Sequence, residues 1–168
     1  MITIGIDPGW ASFGCAVSRD GVLVNKNSFI PRNYGDIEGF ISKLDGWILE
    51  QHYPLTEDVT VYIERFVSYG GVQTDPENIL MLIGALDYFF KTNYSKPILV
   101  RALDWKVKLC HYLVKTRGLS NPGKTFDKKY SLWAAEQLSG EKFTSDHEAD
   151  AVCISFLTEE ILNGVKQK

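Results

Sequence analysis

Four side chains in this 168-residue chain have types and positions that ordinary folding rules explain poorly. Asp7 ends the apolar run of Ile2, Ile4 and Ile6 and is followed at once by Pro8-Gly9. An ionised carboxylate in a buried strand is costly unless a hydrogen-bonding turn, a cation-borne phosphate or a metal ion meets it. Glu64 stands near the end of a second β-prone run, Val59 to Phe66. Towards the C-terminus, "SDHEADAVCISFLTEEIL" carries His147 and Asp150, three apart and therefore on one helix face. A His-x-x-Asp pair chelates a cation from one side, although such a pair taken alone is more often plain helix surface. Its neighbours have structural readings. Ser145 and Glu148 fit a capping box, the serine oxygen taking the Glu148 amide and the glutamate reaching back to the Ser145 N–H. Asp146 in the first turn suits the helix dipole.

The combination carries more than any one position. Asp7 and Glu64 each end an apolar strand, which sends both to the rim of one sheet, and α/β sheets gather ligands at strand ends. A helix bringing His147 and Asp150 to that rim completes four donors for a hard divalent cation, Mg2+ or Mn2+, rather than a structural zinc. Three carboxylates held together repel one another unless a cation lies among them. Cys15, Cys110 and Cys153 follow no metal-binding pattern and read as free thiols in a reducing, cytoplasmic compartment.

The elements that must position these groups are legible from periodicity and turn chemistry. Strands are expected over Ile2 to Asp7, Phe13 to Arg19 and Val22 to Ile30, with Asp20-Gly21 as the hairpin turn. Ile37, Ile41, Leu44 and Ile48 recur at helical spacing in a helix ending near His52. After the Val59 to Phe66 strand, Thr74 or Asp75 caps a helix whose apolar stripe is Ile79, Leu82, Ile83, Leu86 and Phe90. "PILVRA" is a short strand. A basic helical stretch follows, broken at "GLSNPGKT", and a last helix runs from Ser145 to about Leu162. This order implies one domain over residues 1–168: an α/β fold with a central mixed five-stranded sheet flanked by helices.

Charge is unevenly spread. Residues 91–130 hold ten Lys and Arg against Asp104 and Asp127, a local net of +8, while the rest of the chain carries −11. That asymmetry points to a polyanionic partner, although a solvated helical surface is the plainer reading of composition alone. No apolar run approaches the roughly 20 residues of a membrane span.

"GIDPGWASFG", "VYIERF" and "HEADAV", in that order and at these separations, resemble the RuvC family of Holliday-junction resolvases within the RNase H-like superfamily. The resemblance runs over the whole chain, including Gly84-Ala85 and the lysine-rich segment before the last acidic motif. It implies an RNase H-like fold and two divalent ions per active site, Mg2+ or Mn2+, held by Asp7, Glu64, His147 and Asp150. The position of His147 is commonly Asp in that family. The implied chemistry is two-metal phosphodiester hydrolysis with Asp7 bridging ions about 3.5–4 Å apart. Glu64 would hold one ion, and His147 and Asp150 the other. A histidine ligand must be neutral, so activity is expected to fall below about pH 6.5.

The resemblance further implies a homodimer formed through the helix at about Asp75 to Lys91, acting on four-way-junction DNA. Lys106 and Lys129 best match family lysines beside the active site, with Lys108, Lys124 and Lys128 nearby as backbone contacts. Family members often carry an aromatic three residues past the glutamate, where it stacks at the junction centre. Val67 stands there in this chain, leaving Phe66 and Tyr69 as substitutes and implying a broader range of branched substrates. Three other readings share parts of this pattern. One is an RNase H-like nuclease acting on RNA, hybrids or single strands. Another is an actin-like ATPase or sugar kinase, for which the chain is too short to form a second lobe. The third is an inactive DNA-binding scaffold.

Overall fold

A computed structural model describes residues 1–51, 58–66, 76–120 and 128–164, the Lys128 side chain excepted. Five strands form one sheet in the order β3-β2-β1-β4-β5. They are β1 (Ile2–Asp7), β2 (Phe13–Arg19), β3 (Val22–Phe29), β4 (Val59–Arg65) and β5 (Ile98–Arg101). The first three pair antiparallel, whereas β1 with β4 and β4 with β5 pair parallel, so the sheet is mixed as expected. Asp20 (φ 51°) and Gly21 (φ 74°) both take positive φ in the β2–β3 turn, the conformation a two-residue hairpin needs.

Alternation along the strands sorts the side chains onto two unlike faces. Ile2, Ile4, Ile6, Phe13, Cys15, Val17, Val61 and Ile63 face one core, shared with Phe40, Leu44, Trp47 and Ile48 of α1 (Ile37–Leu49) and Leu82, Leu86 and Phe90 of α2 (Pro76–Asn93). Of the expected α1 stripe, Leu44 and Ile48 are buried, but Ile37 and Ile41 are not. Phe40 and Trp47 fill the core and make edge-to-face contacts with Phe29, while Ile37 and Ile41 lie half-buried beside α2. The larger aromatic rings bury more apolar surface than the isoleucines would, and this sets the rotation of the helix. Asp36 caps α1, its carboxylate accepting the Gly39 amide at 2.8 Å. The expected cap of α2 at Thr74 or Asp75 lies outside the described residues.

The opposite face of the sheet is built from small residues. Gly5 and Gly14 leave no room for a side chain: a Cβ on Gly5 would sit 2.3 Å from Ala151 O, and one on Gly14 would sit 2.0 Å from His147 O. This shallow strip seats α5 (Asp146–Ser155) directly against β1 and β2, and the Ser18 hydroxyl donates to Ser155 O. Around α5, a second core gathers Tyr62 of β4, Trp105, Leu109 and Leu113 of α3 (Ala102–Arg117), and Tyr130, Ala134 and Ala135 of α4 (Lys128–Ser139).

The C-terminal segment is two helices rather than one. After Ser155 the chain turns through Phe156 and Leu157, both buried, and Thr158 caps α6 (Glu159–Asn163) by accepting the Ile161 amide. Cys15, Cys110 and Cys153 are free and buried. Among the described residues no helix is long and apolar enough to cross a membrane.

Candidate active site

The parallel register pairs Ile6 with Ile63, which carries Asp7 and Glu64 to the same end of neighbouring strands. Asp7 also pairs with Gly14 on the other side. Because Gly14 admits the His147 backbone so closely, the first turns of α5 descend onto Asp7. Ser145 fixes where that helix starts, its hydroxyl accepting the Glu148 amide at 3.3 Å. The return half of the expected capping box is replaced: the Glu148 carboxylate pairs with Lys26 of β3 at 3.4 Å.

Asp7 is answered by His147, whose Nδ1 lies 2.6 Å from Asp7 Oδ2. This contact holds the imidazole pKa above its ordinary value, against the opposing effect of burial. Glu64 accepts a hydrogen bond from the indole N–H of Trp105 at 2.8 Å. Asp150 is paired with Lys106, whose Nζ lies 3.1 Å from Oδ2 with both side chains largely buried. Burial works against the Lys106 charge, but Asp150, Glu64 and Asp7 outweigh it and raise the lysine pKa.

The carboxylates feel one another. Desolvation raises the Glu64 pKa well above the usual range, and Asp7 and Asp150 push it further. Asp150 is raised by burial and then by Asp7, with Lys106 opposing. Like charges in a low-dielectric cleft produce this pattern, and perturbed titrating groups of this kind cluster at functional sites.

The donor set suits hard divalent cations: three carboxylates and one imidazole on three elements, β1, β4 and α5. Asp150 Oδ1 and Ser131 Oγ are both buried without a regular hydrogen bond, although the hydroxyl is near enough to favour the ionised carboxyl. A buried carboxylate oxygen without a regular hydrogen bond, on a group close enough to Asp7 for the two to repel, fits a cation ligand. As the side chains stand, no three His, Cys, Asp or Glu groups among the described residues close into a ready metal cage. Their oxygens are instead engaged by His147, Trp105 and Lys106.

The other candidate residues fall in several places. Lys106 sits inside the cleft on Asp150 rather than on an open surface. Lys108 is half-buried on α3, Lys129 is exposed near the start of α4, and Lys128 opens that helix. Phe66 is half-buried just after β4. Tyr69, Val67 and Lys124 lie outside the described residues. Sequence reasoning missed Trp105, because a tryptophan within an apolar helical pattern carries no local sign of its partner. It also missed Gly5 and Gly14, although both lie inside the quoted "GIDPGWASFG" motif.

No protein-family model and no curated protein matches the chain. Solved structures do. Thermus thermophilus RuvC in complex with a Holliday-junction substrate superposes with a TM-score of 0.65 at 16% identity, covering 93% of this chain and 91% of that one. A second Thermus thermophilus RuvC structure gives 0.64 at 16% identity, covering 93% and 92%. Fold persists at identities where motifs alone are hard to align, and here it extends over nearly the whole of both chains. This chain therefore has the RuvC fold, an RNase H-like α/β architecture.

Proposed function

We propose that this protein is a divalent-metal-dependent DNA endonuclease of the RuvC family that resolves four-way junctions by phosphodiester hydrolysis. One observation carries the reading. Asp7, Glu64, His147 and Asp150 converge at one rim of the sheet, beside Lys106 of the basic segment, in a fold shared with a RuvC bound to a Holliday-junction substrate.

Asp7, Glu64, His147 and Asp150 would hold the ions. Bound divalent cations supply an acidified water and charge neutralisation at the scissile phosphate. His147 must surrender its proton for its ring nitrogen to act as a donor. Lys106 supplies a positive charge beside Asp150, and Lys108, Lys124, Lys128 and Lys129 would meet the DNA backbone. By the family resemblance, Tyr69 and Phe66 would be the aromatic candidates for stacking at the junction centre. A homodimer would set two such sites at the spacing that paired cuts require.

Cleavage of a four-way junction, a nicked duplex and an RNA–DNA hybrid, each with and without Mg2+, tests the assignment. The expected result is Mg2+-dependent symmetric cutting of the junction. Preferential cutting of the hybrid would move the protein to the RNA-directed branch of the same fold, and junction binding without cutting would make it a scaffold.

A further inference from the structure

Trp105 does more than fill space. Its side chain is fully buried in the core under α5, and a buried indole N–H needs an acceptor. The acceptor is a carboxylate oxygen of the cleft, Glu64 Oε2 at 2.8 Å. The indole engages Oε2 and, among the described residues, no hydrogen bond engages Oε1, on a carboxyl close enough to Asp7 and Asp150 for both to raise its pKa. The ring also carries the Lys106 ammonium 5.0 Å from its centroid, and that ammonium meets Asp150.

The backbone explains how one residue reaches both. Glu64 pairs with Val100 and Arg65 with Arg101, and α3 begins at Ala102. Its first turn therefore folds back over the end of β4. The Lys106 carbonyl accepts the Tyr130 hydroxyl at 3.0 Å, tying this turn to α4.

We propose that Trp105 is a positioning residue of the metal site, its indole N–H holding Glu64 in the rotamer that presents Oε1 to a cation. Hydrogen bonds to ligating carboxylates set ligand orientation, and their loss typically costs about 10–100-fold in metal affinity or activity. This inference rests on the metal-dependent nuclease reading, and the experiment separates the two.

Two variants remove the donor: Trp105→Phe, and the wild-type chain with benzothienylalanine at position 105, which has nearly the shape of tryptophan and no N–H. Each is titrated with Mn2+ by calorimetry, assayed for junction binding in Ca2+ and followed for single-turnover cleavage. The expected result is Mn2+ affinity and cleavage rate each lowered by about tenfold or more, with junction affinity unchanged. A purely space-filling Trp105 would leave the benzothienylalanine protein within twofold of wild type in both, and that result overturns the inference. If Trp105→Phe does not fold, the near-isosteric protein decides alone. A wild-type protein that neither binds Mn2+ nor cuts overturns the reading beneath it.

Discussion

Asp7 illustrates how a buried charge is managed beside other carboxyl groups. It is 8% exposed, and the group it meets is the His147 imidazole. Lys106 does the same for Asp150. The site thus offsets its own charge with a proton and an ammonium, and on the proposed reading a divalent cation would have to displace that proton. Glu64, Asp150 and His147 all have raised pKa values, so the folded state binds protons more tightly than the unfolded chain. The two carboxyls contribute stability while protonated and lose it as pH rises from the ordinary carboxylate range through their raised values. His147 has the same sign: its contribution is full below the ordinary histidine value and lost above the raised one. Metal-free protein should therefore melt at a lower temperature at about pH 8 than at about pH 5.5, and Mg2+ should restore more stability at the higher pH. Melting curves at the two pH values, with EDTA and with Mg2+, check this, and a metal-free melting temperature that rises with pH would contradict it. Because His147 holds its proton more firmly, cleavage should begin to fall somewhat above the ordinary histidine pKa. Asp7→Asn and Asp150→Asn should each bind a junction and fail to cut it, and appreciable cutting by either would remove that residue from the site.

Among the elements, α5 decides the geometry, and its seat is the glycine strip. A methyl group at Gly14 would meet the backbone oxygen of His147 at 2.0 Å, an atom that cannot swing aside, so the helix would have to lift. Gly14→Ala should destabilise the protein by about 1–3 kcal/mol, as overpacking does, and lower cleavage by moving His147 and Asp150 off Asp7. Denaturant melts and cleavage rates on one preparation test this. A variant with wild-type activity would show that the close approach is unnecessary. Ser145 is the second device. Ser145→Ala removes the oxygen that accepts the Glu148 amide and should cost about 1 kcal/mol. The Glu148–Lys26 pair, only partly exposed, tethers the same turn to β3 and remains in that variant.

At the scale of the whole molecule, α2 has two apolar faces. Leu82, Leu86 and Phe90 are buried in the core, whereas Leu80, Met81 and Tyr88 are exposed, Tyr88 by 73%. Met81, Ala85, Tyr88 and Phe89 line a groove against Ile37 and Ile41 of α1. The expected dimer through α2 would cover that outer face. Light scattering should give a dimer for the wild-type protein and a monomer for Tyr88→Asp. The monomer should nick junctions without making paired cuts, and a monomeric wild type would exclude this arrangement.

What the amino-acid sequence determined by itself was the local grammar. Alternating isoleucines, the Asp-Gly turn, the Ser145 cap and carboxylates at strand ends are written in short windows, because dihedral preference and hydrophobic period act over a few residues. The mixed α/β plan and the four candidate ligands follow from that grammar together with motif order. Only the tertiary structure decided what each carboxylate meets. His147 reaches Asp7 across 140 residues, Lys106 reaches Asp150 across 44, and Trp105 reaches Glu64 across 41. Those meetings depend on strand register and on how closely a helix can approach two glycines, and neither is encoded in any single window of the chain.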